Sequence, residues 1–235
     1  MIYKSSSIIS TIELRIEKFF EGDSSGHDYH HVNRVRCLAL QLAKKENADL
    51  FVVELIALLH DIGDWKFHDR GLNGQAEILA EFLKDLNIEK SLLKRILIEI
   101  PKIGFKGAEV KEEDLSLEAQ IVRDADRIDA IGAIGIARCF AYGGHKGMPI
   151  YDPNVAIAMH NNAMEYHSAK SPSIHHFFEK LLLLKDRLHT KSGQQLAEDR
   201  HQFLLDFLLQ FFREWYGEDE IPKQFNLNRF ELKER

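Results

Sequence analysis

Between Phe51 and Leu59 the chain carries one charge, Glu54, and is otherwise apolar. A helix apolar nearly all round belongs at the centre of a bundle. Its neighbours read as amphipathic helices. Over 7–20, Ile8, Ile9, Ile12, Leu14, Ile16, Phe19 and Phe20 recur at helical spacing, and EGDSSG at 21–26 breaks the pattern. Asp28 is placed to cap a second helix reaching about Asn47, with Val32, Val35, Leu38, Ala39 and Leu42 on one side. The apolar run makes a third, 49–61, with Gly63 placed to end it. Periodicity predicts further helices over 73–86, 90–101, 116–139, 153–169, 173–188 and 194–216, and loops over 102–115 and 140–152. No stretch alternates as a strand would. The expected fold is all-α: one domain over 1–235, with a core about 8–140 and C-terminal helices about 153–217 packed on it.

Composition narrows the classes. The chain has 235 residues, 45% of them hydrophobic, enough for a sizeable core. With 31 basic against 37 acidic residues and a net charge of −6, no general nucleic-acid or membrane-surface binding is expected. A small anionic ligand needs only a local cluster of cations. The first ten residues, MIYKSSSIIS, lack the apolar run of a signal peptide, and no run is long enough to span a bilayer. Cys37 and Cys139 sit in helical patterns and read as buried free thiols, which with the rest implies a cytoplasmic protein. The sequence says nothing of the oligomeric state.

The chemistry concentrates where the apolar run stops. LLHDIG, 58–63, closes on His60 and Asp61. Alone, that pair is explained by the helix dipole and a capped loop amide. Elsewhere, His31 shares a face with Val35, Leu38 and Leu42 and so points toward the core, with His30 beside it. VRDADRIDAIGAIGIARCF, 122–140, sets Asp126 and Asp129 one turn apart, ahead of a run of Ala and Gly that admits close packing. An inward carboxylate needs a partner. A divalent cation shared with His31, His60 and Asp61 would supply one. Spacing alone leaves His30 or His31, and Asp126 or Asp129, open.

The order His31, His60-Asp61, Asp126 resembles the H…HD…D signature of the HD-domain metal-dependent phosphohydrolase superfamily. GHDYHHVNRV, LLHDIGD and DADRIDAIG are similar to its ligand motifs, where the first histidine stands three residues before the Arg-Val pair and the last aspartate just before Arg. That match selects His31 and Asp126. IGFKGAE, GAIGIARCFAYGG, HHFFEKLLLLKDRL and AEDRHQFLLDFL resemble a stand-alone bacterial subgroup, over nearly all of 8–217. Gly104 departs from it, since the subgroup more often has Ser before Phe-Lys-Gly.

The resemblance implies an all-α HD bundle with additional C-terminal helices, and one divalent metal on His31, His60, Asp61 and Asp126. Two imidazoles and two carboxylates, with no thiolate, suit Mn, Mg, Ni, Fe or Co better than structural zinc. The family also places an acidic residue that handles the attacking water, and Asp64 stands in that position. Asp129 is expected to orient a ligand histidine. Lys66, Lys106 in the GFKG loop, Lys180, Arg34 and Arg127 are the expected phosphate contacts. On a continuous 173–188 helix His176, Lys180 and Arg187 would form one stripe, with Arg187 on a solvated face.

The implied activity is hydrolysis of nucleotides: a nucleoside or deoxynucleoside triphosphate to monophosphate and pyrophosphate, through metal-activated water. Two rivals are a nucleoside monophosphate phosphomonoesterase of the same fold and a non-catalytic metal- or nucleotide-binding sensor.

Overall fold

The computed structural model describes residues 2–22, 28–64, 74–159, 162, 164–165 and 171–217, with side chains from residue 7 onward. All regular structure among them is helical, and the fold is all-α. No helix among the described residues is long and apolar enough to cross a membrane. The chain forms two compact units, Met1–Phe105 with Lys111–Asp126, and Lys106–Val110 with Arg127–Arg235.

The first unit holds α1 (Ile2–Phe19), α2 (Tyr29–Glu46), α3 (Leu50–Leu59), α4 (Gly74–Leu83), α5 (Lys90–Glu99) with a 3-10 turn at Ile100–Lys102, and α6 (Leu117–Asp129) as far as Asp126. Asp28 caps α2 as its position predicts, accepting from His31 N at 2.8 Å. The helix ends at Asn47, in the left-handed region at φ 55°, whose N–H reaches Ala43 O. Asp49 then caps α3, accepting from Phe51 N at 2.9 Å and Val52 N at 3.2 Å. With one residue between the caps, α2 and α3 form a helical hairpin and pack against each other. Seven of the ten residues of α3 are buried, which the apolar run requires. Its one charge is not wasted: Arg36 on α2 gives Nε to Glu54 at 2.8 Å and Nη1 to Glu13 on α1. Burial works to lower the Arg36 pKa, but the two carboxylates outweigh it and hold the guanidinium above its ordinary range. The helices that carry His31 and His60 are thereby tied through one cation.

The second unit holds α7 (Gly132–His145), α8 (Ser173–Glu179), 3-10 turns at Leu181–Leu183 and Lys185–Arg187, and α9 (Lys191–Tyr216). Thr190 caps α9 through Gly193 N at 3.1 Å. Tyr151 packs edge-on to Phe212 and Trp215 and shares a hydrogen bond with the Tyr216 hydroxyl at 2.7 Å.

Four expected boundaries need correction. The 116–139 helix is two, because Ile131 is extended and Gly132 sits at φ +74°. The expected loop 140–152 is helical to His145. Residues 153–159 are not helical: Asp152 accepts from Asn154 N at 2.9 Å and turns the chain. The 173–188 helix stops at Glu179, since Lys180 leaves helical geometry at φ −144°. Beyond the break the chain rewinds as 3-10 turns, and Leu181, Leu182 and Leu184 are all buried there. The stripe of His176, Lys180 and Arg187 therefore does not exist. Arg187 is no solvated cation either: its guanidinium donates to Gly107 O at 3.2 Å and to Ala108 O, and its own carbonyl accepts from Arg127 Nη1. Cys37 is exposed, not buried. Cys139 donates to Ser173 O at 3.4 Å, and burial pushes its thiol up to about 12.

The small residues of α7 act locally as well. A Cβ on Gly135 would overlap the Ala130 carbonyl, whereas one on Gly144 would meet nothing within 4 Å. Gly135→Ala is expected to cost about 1–3 kcal/mol, a fall in Tm of roughly 2–12 °C. Gly144→Ala is expected to hold Tm or raise it, through a gain of about 0.5 kcal/mol in stability. Thermal melts of the two variants check the opposite signs.

Candidate metal centre

α3 delivers His60 as its last, C-capping residue, and Asp61 follows in the turn. His31 stands in the first turn of α2, and Asp126 near the end of the first-unit part of α6. These elements bring four side chains together. His31, His60 and Asp126 offer ligand atoms all within 4.8 Å of one another. The Asp61 carboxylate faces both imidazoles, with Oδ2 3.3 Å from His31 Nε2 and Oδ1 3.6 Å from His60 Nε2. Asp126 Oδ1 lies 3.5 Å and 3.9 Å from the same two nitrogens. The imidazoles meet edge to face, centroids 5.3 Å apart.

Burial sharpens the chemistry. His31 is 0% exposed, His60 4% and Asp61 6%, whereas the Asp126 side chain retains 26%. The His60 Nδ1 lies 2.8 Å from Ala57 O. A carbonyl only accepts, so Nδ1 carries the proton and a neutral His60 keeps its lone pair on Nε2. That Nε2 is buried and makes no hydrogen bond among the described residues. A buried lone pair aimed at two carboxylates costs free energy unless a cation sits between them. The donor set therefore fits a divalent ion, and the mixture of imidazole nitrogen and carboxylate oxygen suits octahedral-preferring metals.

The other expected residues fall in several places. Asp64 is buried, its N–H on Asp61 O at 3.3 Å. A Cβ built on Gly104 would lie 4.0 Å from Asp64 Oδ2. Gly104 is therefore the place from which a serine hydroxyl would reach that carboxylate. Arg34 is half-buried, one turn after His31. Asp129 is buried and accepts from Arg138 Nη1 at 2.9 Å. Arg127 is 3% exposed, and Lys106 and Lys180 are half-buried in the second unit. Lys66 lies outside the described residues.

Two first-unit residues escaped sequence reasoning. Arg123, 1% exposed, gives Nη2 to Lys102 O at 3.0 Å and Glu113 O at 3.1 Å, drawing both ends of that stretch to α6 one turn before Asp126. Gln75 on α4 is 6% exposed and reaches the carbonyls that flank Asp61. Neither carries a sequence signal beyond being polar in a helix.

Comparison with known proteins identifies the family. The family model described as HD domain matches residues 28–131. YpgQ of Bacillus subtilis is 39% identical over 206 residues, which cover 87% of this chain and 92% of that protein. The chain belongs to the HD-domain family. The HD match includes His31, His60, Asp61, Asp64 and Asp126. Among solved structures, a Lactobacillus plantarum protein superposes with a TM-score of 0.82 at 35% identity, covering 90% of this chain and 98% of the other. YpgQ in complex with ADP gives 0.71 at 33%, covering 92% and 100%. An HD-superfamily hydrolase of Bacillus thuringiensis gives 0.68 at 36%, covering 91% and 100%.

Gly63 closes the HD turn at φ +66°, and a Cβ there would stand 2.8 Å from Ile78 Cβ. Gly63→Ala therefore meets backbone strain and a clash together, and is expected to cost about 1–3 kcal/mol. A thermal melt checks it; an unchanged Tm would contradict this description of the turn.

Proposed function

We propose that the protein is a metal-dependent phosphohydrolase acting on nucleotides, converting a nucleoside or deoxynucleoside triphosphate to monophosphate and pyrophosphate. The observation that carries the reading is the convergence of His31, His60 and Asp126 within 4.8 Å, with Asp61 against both imidazoles. These four would hold one divalent ion, of the Mn, Mg, Ni, Fe or Co type. When bound, such an ion polarises a phosphoryl oxygen and lowers the pKa of water. The ADP complex of YpgQ supports a nucleotide as substrate.

The chain's own groups then have separable tasks. His60 is held in one tautomer by Ala57 O, so it binds without a competing proton on Nε2. Asp64, buried and three residues from Asp61, takes the proton of the attacking water on its carboxylate. The cations nominated for the phosphates, Lys66, Lys106, Lys180, Arg34 and Arg127, belong to this proposal on the strength of their motifs alone. Asp129 as an orienting group stands on the same footing.

The test is a hydrolysis panel of nucleoside and deoxynucleoside tri- and monophosphates with each of the five metals, on the wild type and Asp61→Ala. Pyrophosphate and monophosphate are expected, with a loss of about 100-fold or more in Asp61→Ala. Orthophosphate from monophosphates alone would replace the reading with a phosphomonoesterase. Binding without turnover would replace it with a sensor. Equal activity in Asp61→Ala would remove the ligand assignment.

A further inference from the structure

The helix that carries the central pair ends inside the protein. Residues 60 to 64 are all buried, so the carbonyls of this turn have no recourse to water. A helix end leaves its last carbonyls without helical donors, and here the donors to five carbonyls between Ala57 and Ile62 can be named. Ala57 O takes the His60 Nδ1 proton at 2.8 Å. Leu59 O takes Ile62 N at 3.0 Å, and Asp61 O takes Asp64 N at 3.3 Å. The two carbonyls between and beyond them, His60 O and Ile62 O, take Gln75 Nε2, at 3.0 Å and 3.3 Å. Main chain and Gln75 therefore alternate along the turn, and the two carbonyls that bracket Asp61 share one side-chain nitrogen.

An amide nitrogen has two hydrogens set apart in one plane, so it can serve two carbonyls at once. The amide oxygen cannot take its place, because it would face two further oxygens. The orientation of Gln75 is thus dictated by what it touches. Its helix adds a second grip: Ile78, three residues on and so on the same face of α4, lies against Gly63 closely enough to leave no room for a Cβ. One face of α4 holds the backbone on both sides of the residue that turns its carboxylate toward His31 and His60.

We infer that Gln75 is the positioning residue of the His60–Asp61 pair, setting the aim of both side chains by holding His60 O and Ile62 O. This rests on the metal-binding reading of those side chains. Gln75 itself does not act on substrate. Its effect passes through the backbone of the turn, so it shows in metal affinity before any chemistry occurs.

The experiment measures Mn²⁺ affinity by electron paramagnetic resonance, and the visible absorption of the Co²⁺-loaded protein, for the full chain. The variants are Gln75→Met, which keeps the length and removes both donors, and Leu79→Ala, which truncates a buried α4 residue and leaves the Gln75 amide in place. Gln75→Met is expected to lose about tenfold or more in Mn²⁺ affinity and to shift the Co²⁺ bands. Leu79→Ala is expected to lower Tm with affinity and spectrum held. Should Gln75→Met not fold, Gln75→Asn, which withdraws the amide by one methylene, carries the same expectation. Wild-type affinity and spectrum in the folded Gln75 variant would overturn the positioning role and leave the metal reading standing. Equal losses in Leu79→Ala would reduce Gln75 to packing. A wild type that binds neither ion would remove the metal reading and this inference with it.

Discussion

Two carboxylates crowd two buried imidazoles at the end of α3, and that electrostatic demand organises the first unit. Asp61 and Asp126 both lie within 4 Å of His31 Nε2 and His60 Nε2. Two carboxylates set against the same pair of imidazoles in a partly dry site disfavour each other's charged form. An inward lone pair on His60 Nε2 does not relieve that repulsion. A divalent cation would, and it would convert four costly groups into ligands. The Nδ1 bond from His60 to Ala57 O leaves the remaining nitrogen of that ring in the form such an ion requires.

The packing follows from holding those groups still. The apolar helix α3 is a rigid mount because its neighbours bury it nearly all round. α2 is joined to it by a two-cap hairpin and by Arg36, whose two carboxylate partners lie on α1 and α3. Arg123 fixes the stretch entering α6 one turn ahead of Asp126. Gln75 and Ile78 hold the turn that carries Asp61. Preorganised ligands spare the ion the cost of ordering them.

Much of this was legible in the sequence. The period of the apolar residues revealed α1 to α3, and Asp28 and Gly63 marked their ends through chemistry confined to one or two residues. The HD pair at the end of the greasiest run was visible as an anomaly. The choice of His31 and Asp126 needed the family resemblance, since spacing offered His30 and Asp129 as well. What escaped was set by tertiary context. At Lys180 the α-helix breaks and the chain rewinds as 3-10 turns, and periodicity cannot register a change of helix type. The Asp152 turn overrode the helical look of 153–159. Gln75 and Arg187 act through main-chain carbonyls, which any sequence presents at every position, so nothing in their neighbours betrays the contact.

Anomalous diffraction from Mn²⁺-soaked crystals tests the central claim most directly. A single strong peak is expected about 2.0–2.3 Å from His31 Nε2, His60 Nε2, Asp61 and Asp126. A peak ligated by other side chains, or density in which Asp126 turns away from the ion, would contradict it.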